Sequence, residues 1–196
     1  SDLDRDLGIA LAELVIEPGP EQRLSAEAAL PFLDKAVQER PQDARAWEAR
    51  ARALQAMGRL DEAMASIEQA VGRTPDRERA LSAAAEIADA RGMRDISLNY
   101  WDRAIGMNPW SSMYRFRRAQ LWSETGDWDR ALAECDAVQR RDPNFLEARL
   151  LRISYWIRTG DAARARSEFD TVMSLHPRKP DDIRRWFAEQ VRGQRR

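Results

Sequence analysis

Cys135 and His176 are the only cysteine and the only histidine in the chain, so any nucleophilic or metal chemistry would have to start with them. A thiol nucleophile needs a base beside it and a third group to orient that base. Cys135 stands in a register of apolar residues and His176 directly precedes Pro177, so the two do not form such a set. Zinc and iron–sulfur sites need several soft or imidazole ligands, and a disulfide needs a second cysteine. The carboxylate pairs Asp61-Glu62 and Asp181-Asp182 fall where helices should open, and the positive end of the helix dipole explains them without chemistry. No glycine-rich phosphate loop is present. The sequence therefore assigns no catalytic, cofactor-binding or metal-binding residue, and no enzyme activity or cofactor is expected.

What remains is charge. The 196 residues carry 32 basic and 33 acidic side chains, for a net charge of −1. Such a balance gives no overall field for phosphate backbones or anionic lipid, and no apolar run approaches the roughly 20 residues that span a bilayer. Neither nucleic acid nor membrane insertion is expected. Lys35 and Lys179 are the only lysines, and the arginine and alanine enrichment points to a GC-rich, bacterial genome. A single unpaired cysteine favours the cytoplasm, although a cleaved signal peptide would leave no trace.

The elements that position these side chains follow from a fixed period. Pro41, Pro75, Pro109, Pro143 and Pro177 are each 34 residues apart, and Gly58, Gly92, Gly126 and Gly160 keep the same interval. Small or apolar residues keep step as Ala51, Ala85, Ala119 and Ile153, then Ala63, Ser97, Ala131 and Ala165, then Ala70, Ala104, Val138 and Val172. A breaker-free helix length separates each proline from the next glycine and each glycine from the next proline, so each period is two helices. Glycine suits a turn of positive φ, and proline bars helical geometry from the residue before it, which places Thr74, Asn108, Asp142 and His176 at or just beyond helix ends. The small columns mark where paired helices approach closely. Trp47, Trp101, Trp122 and Trp156 occupy packing columns and are expected in the core, whereas Trp110 and Trp128 stand at unit boundaries and should be partly exposed.

These columns resemble the tetratricopeptide repeat family, whose 34-residue pattern the unit from Ala44 matches with Trp47, Ala51, Leu54, Gly58, Ala63, Ile67, Ala70 and Pro75. The units from Glu78, Ser112 and Leu146 match equally well in their second helices. They depart from the pattern at Leu81, Arg115 and Arg149, where the family has tryptophan. Arg50, Ala84, Arg118 and Arg152 replace the family's leucine, which suggests arginines with buried stems. The resemblance implies an all-α, right-handed α-α superhelix of about five helix-turn-helix repeats plus a C-terminal capping helix. Repeats are expected at 44–77, 78–111, 112–145 and 146–179. A degenerate first repeat spans 1–43, with Leu3, Leu7, Ala10, Leu11, Leu14 and Val15 as its apolar stripe and an inserted loop near 16–24. Pro31 should lie in the opening turn or so of that repeat's second helix. Residues 180–196 form the cap and basic tail, with Ile183, Trp186, Phe187 and Val191 as the apolar stripe.

The family binds partners in a concave groove lined by the first helix of each repeat. Carried onto this chain, the groove positions include Arg45, Glu48, Arg52, Arg79, Glu86, Met113, Phe116, Gln120, Leu150, Ser154 and Ile157. Mixed charge on such a face also fits a merely solvated surface. Phe116, Leu150 and Ile157 fit either apolar anchors or residues covered by neighbouring helices, including the final helix docked back onto them. Arg52, Glu86, Gln120 and Ser154 fill the column that holds asparagine in the family's chaperone-tail binders, so no carboxylate clamp for chaperone C-termini is expected. The expected function is a non-catalytic protein–protein interaction module or scaffold holding a protein or peptide segment, with the oligomeric state open and a monomer favoured over self-assembly by repeat stacking. An alternative is the regulatory or assembly portion of a longer polypeptide, since the chain opens on Ser1 rather than methionine.

Overall fold

The computed structural model describes residues 25–193; the apolar stripe of residues 3–15, the loop near 16–24 and the arginines at 195 and 196 lie outside them. Every regular element among the described residues is a helix. In chain order they are α1 (Ala26–Glu39), α2 (Ala44–Ala56), α3 (Leu60–Arg73), α4 (Glu78–Ala90), α5 (Arg94–Met107), α6 (Ser112–Glu124), α7 (Trp128–Arg141), α8 (Leu146–Arg158), α9 (Ala162–Ser174) and α10 (Pro180–Gly193). They fall into two compact units divided between Pro109 and Trp110, with α1 to α5 in the first and α6 to α10 in the second.

Each periodic glycine closes one helix and turns the chain into its partner. Gly58, Gly92, Gly126 and Gly160 have φ of 73°, 74°, 86° and 79°. At α6 the Gly126 N–H donates to the Ser123 carbonyl and the Asp127 N–H to that of Trp122, at 3.2 and 2.9 Å, so carbonyls that would otherwise be orphaned at the helix end are satisfied. Asp127 and Asp161 then cap the next helices, accepting from the Arg130 and Arg164 N–H groups at 3.1 and 3.0 Å. The proline-preceding residues Arg40, Thr74, Asn108 and Asp142 adopt φ between −127° and −137° and end α1, α3, α5 and α7. His176 differs: α9 stops at Ser174, and His176 takes a left-handed φ of 52° before Pro177. Pro31 lies six residues into α1, deeper than the opening turn, and the helix runs through it.

The paired helices meet where the small columns predict. Ala51, Ala63, Ala85, Ser97 and Ala119 are fully buried, and the Ser97 hydroxyl donates across the contact to the Ala85 carbonyl at 2.8 Å. Trp101, Leu54, Leu81, Ile87, Leu121 and Ile153 fill the space beside the crossings. The arginines in the family's leucine column keep their stems inside and turn their heads onto carboxylates. Arg50 Nε donates to Asp34 at 2.7 Å, Arg152 lies 3.3 Å from Asp136 and 3.4 Å from Glu168, and Arg118 pairs with Glu134.

The tryptophan columns are less buried than expected. Trp101 is interior, but Trp47, Trp122 and Trp156 are half-buried, each with an arginine on its outer face. Arg130 over Trp122 and Arg164 over Trp156 stand at the same 4.7 Å and repeat with the 34-residue period, so the rings pack inward and are roofed by guanidinium.

The turn glycines give a direct check. A Cβ at Gly126 would meet no atom within 4 Å, so Gly126→Ala adds only the cost of a left-handed backbone, about 1 kcal/mol. Urea unfolding should show a lowered midpoint at unchanged slope; an unchanged midpoint would mean the turn does not need glycine.

Candidate functional site

In the second unit, α6, α8 and α10 line an open, largely apolar hollow of about 500 Å³. α6 contributes Phe116 and Gln120, one helical turn apart, and α8 contributes Glu147, Leu150, Leu151 and Ser154 from one face. Phe116 is held from behind by Phe145, 5.3 Å away between ring centres, and by the buried Ala119, Cys135, Val138 and Ala148. α10 forms a third wall. Its Phe187 stacks on Phe169 at 4.2 Å, which turns Ile183 and Trp186 toward α8, with Lys179 and Asp182 at the rim. Pro180 at the first position and the carboxylates of Asp181 and Asp182 in the first turn start this helix, and Asp181 is bound by Arg184 at 2.7 Å.

The polar groups of the hollow are few and partly engaged. Gln120 Oε1 accepts from Arg117 at 3.2 Å, and the Ser154 hydroxyl donates back to the Leu150 carbonyl at 3.2 Å. Both retain capacity for a further bond, Gln120 through its amide N–H₂ and Ser154 through its oxygen. The lining is thus apolar with a small number of polar handles, the composition of a site that accepts an apolar side chain and fixes the backbone beside it.

Of the expected groove residues, Phe116, Gln120, Leu150 and Ser154 are brought together here. Met113 is exposed earlier on α6 and does not line the hollow. Ile157 follows the second of its two expected readings, covered by a neighbouring helix. It is buried in the cluster of Phe169 and Val172, because Phe187 and Val191 of α10 cover that end of α8. In the first unit Glu48 is likewise turned inward, at 4% exposure. Its carboxylate is taken up by Arg77 at 2.6 Å, Arg79 at 3.4 Å and Arg52 at 3.8 Å, so it is a structural counter-ion rather than a contact offered to a partner. Arg45, Arg79 and Glu86 stand exposed on α2 and α4. Lys179, just before α10, and Asp182, Ile183 and Trp186 on α10 were outside the expected set, since they lie at or beyond the end of the last repeat. The i, i+3, i+4 spacing of Ile183, Trp186 and Phe187 was their only signal.

Two tetratricopeptide repeat models match the sequence, one over residues 25–87 and another over 82–144 and 124–180. The chain belongs to the tetratricopeptide repeat family. Its repeats are those of a protein–protein interaction module. No curated protein matches the chain. Among solved structures, residues 41 to the end of MamA from Desulfovibrio magneticus RS-1 superpose with a TM-score of 0.78 at 15% identity, covering 91% of this chain and 97% of that one. YrrB, a TPR protein with an unusual peptide-binding site, gives 0.73 at 20% identity over 93% and 90%. TTC0263, a thermophilic TPR protein of Thermus thermophilus, gives 0.68 at 20% over 95% and 98%. At these identities the likeness is one of fold.

Among the described residues no helix is long and apolar enough to cross a membrane, and no three His, Cys, Asp or Glu side chains converge as metal ligands. Cys135 is wholly buried behind Phe116, and burial pushes its thiol up to about 12. Its thiolate is then scarce at neutral pH, and both chemistry and labelling are suppressed. A colourless aromatic disulfide reagent at roughly neutral pH should leave Cys135 unmodified in the folded chain and modify it fully in denaturant; rapid native labelling would contradict this packing.

Proposed function

We propose that this TPR chain is a non-catalytic binding module whose second unit holds a segment of a partner protein. An apolar side chain of the segment enters the hollow between Phe116, Leu150, Ile183 and Trp186. Gln120 and Ser154 hydrogen-bond its backbone, while Glu147, Lys179 and Asp182 bias its flanking charges. The observation that carries this reading is the hollow itself, large enough for one or two side chains and apolar almost throughout. The peptide-binding site of YrrB, a protein of the same fold, is in keeping with it.

Burying one apolar side chain is worth about 1.5–3 kcal/mol, or roughly ten- to a hundredfold in affinity. Peptides selected from a random library on the intact chain should therefore lose at least about tenfold on Leu150→Glu, with Trp186→Ala weakening them similarly. Arg45→Ala, in the first unit, should not change them. Leu150 is only half-buried and Trp186 lies on the last helix, so both variants keep the core, which circular dichroism verifies. Unaltered affinity on both variants would place binding elsewhere.

A further inference from the structure

The three walls of the hollow are not held alike. α6 is anchored by the buried Ala119 and Leu121, and α8 by Ala148, Ile153 and Ile157. α8 is also tied to α9 by charge, since Arg149 and Arg152 reach Glu168 at 2.7 and 3.4 Å. α10 has no buried side chain. Its Ile183, Trp186, Phe187 and Val191 are half-buried against the cluster of Ile153, Ile157, Ala165, Phe169 and Val172. Among the described residues no side-chain hydrogen bond or ion pair joins α10 to α8 or α9, and the link from Arg184 to Asp181 lies within α10 itself. Apolar contact alone keeps this wall in place.

That contact is also loosely filled. The hollow borders the side of α10 that carries Ile183 and Trp186, and a second apolar recess of about 370 Å³ borders the side that carries Phe187 and Val191. The Phe187 ring meets Phe169 face to face, 21° from parallel, and flat faces interlock less than interdigitated side chains. Pro177 is buried whereas Arg178 and Lys179 are exposed, which puts the pivot between the end of α9 and the start of α10. A helix of 14 residues is marginal in water without such packing.

We infer that α10 is a hinged wall, which exchanges between docked and undocked positions in the free chain and is locked down by a segment bound in the hollow. The inference rests on the binding reading above. A segment that touches Leu150 on α8 and Trp186 on α10 gains its full contact only while α10 is docked, so binding shifts the wall toward the docked position. By the same linkage, whatever loosens α10 weakens the segment in proportion to the undocked fraction. Phe187 is then a positioning residue. It does not line the hollow, yet through its stack on Phe169 it sets how often the hollow is complete.

The test is hydrogen exchange of the intact chain read by mass spectrometry, alone and with a saturating amount of a library-selected peptide. In the free chain the amides of residues 184–191 should exchange at least about tenfold faster than those of α8 and α9. Bound peptide should slow them at least about tenfold and leave α1 to α5 unchanged. Phe187→Ala should speed α10 exchange about tenfold and weaken the peptide about three- to tenfold, and the milder Val191→Ala should do the same to a smaller extent. Slow exchange of α10 in the free chain, no protection by bound peptide, or unaltered affinity in a variant whose α10 exchanges faster would each overturn the hinged wall. Leu150→Glu separates the two readings. Loss of the peptide on that variant, with α10 unprotected in the original chain, leaves the binding site standing and removes the hinge; affinity indifferent to Leu150→Glu removes both.

Discussion

Close approach of two helix backbones within each repeat is the constraint from which the rest of this structure follows. It is possible only where the facing side chains are small, and Ala51, Ala63, Ala85, Ser97, Ala119 and Ala131 supply that contact at almost no exposure. Once the pair is fixed at that distance, the larger residues three and four places away have defined pockets, and the register of the outward face is set as well. The Ser97 hydroxyl on the Ala85 carbonyl shows how little space is left.

The charged residues act within this frame rather than beside it. Arg50, Arg118 and Arg152 replace leucine yet do not loosen the packing, because their stems occupy the leucine's volume and their heads reach carboxylates on neighbouring helices. Arg130 and Arg164 roof Trp122 and Trp156 at equal distance one period apart, so the repeat extends to contacts that the family pattern does not specify. Mixed charge here serves mostly to join helices. The apolar hollow of the second unit stands apart from these pairings.

The helices were legible because their punctuation is local. A glycine that must take a positive φ and a proline that ends the helix before it act through backbone sterics, which need no knowledge of distant contacts. Part of the site was legible for a related reason: Phe116, Gln120, Leu150 and Ser154 hold fixed places in a rigid repeat, and a rigid repeat carries its outward face with it.

By itself, then, the sequence determined the period, the helix ends and the close-contact columns. Tertiary structure alone decided which outward residues stay outward. Glu48 turned in where three arginines converge on it, Arg52 from its own helix and Arg77 and Arg79 from the start of α4. Ile157 was covered and Ile183 and Trp186 became part of the hollow because α10 packs back on α8. These outcomes depend on neighbours that no local rule names, since burial is set by what lies across the gap in space, and the residue's own place in the chain carries no record of it.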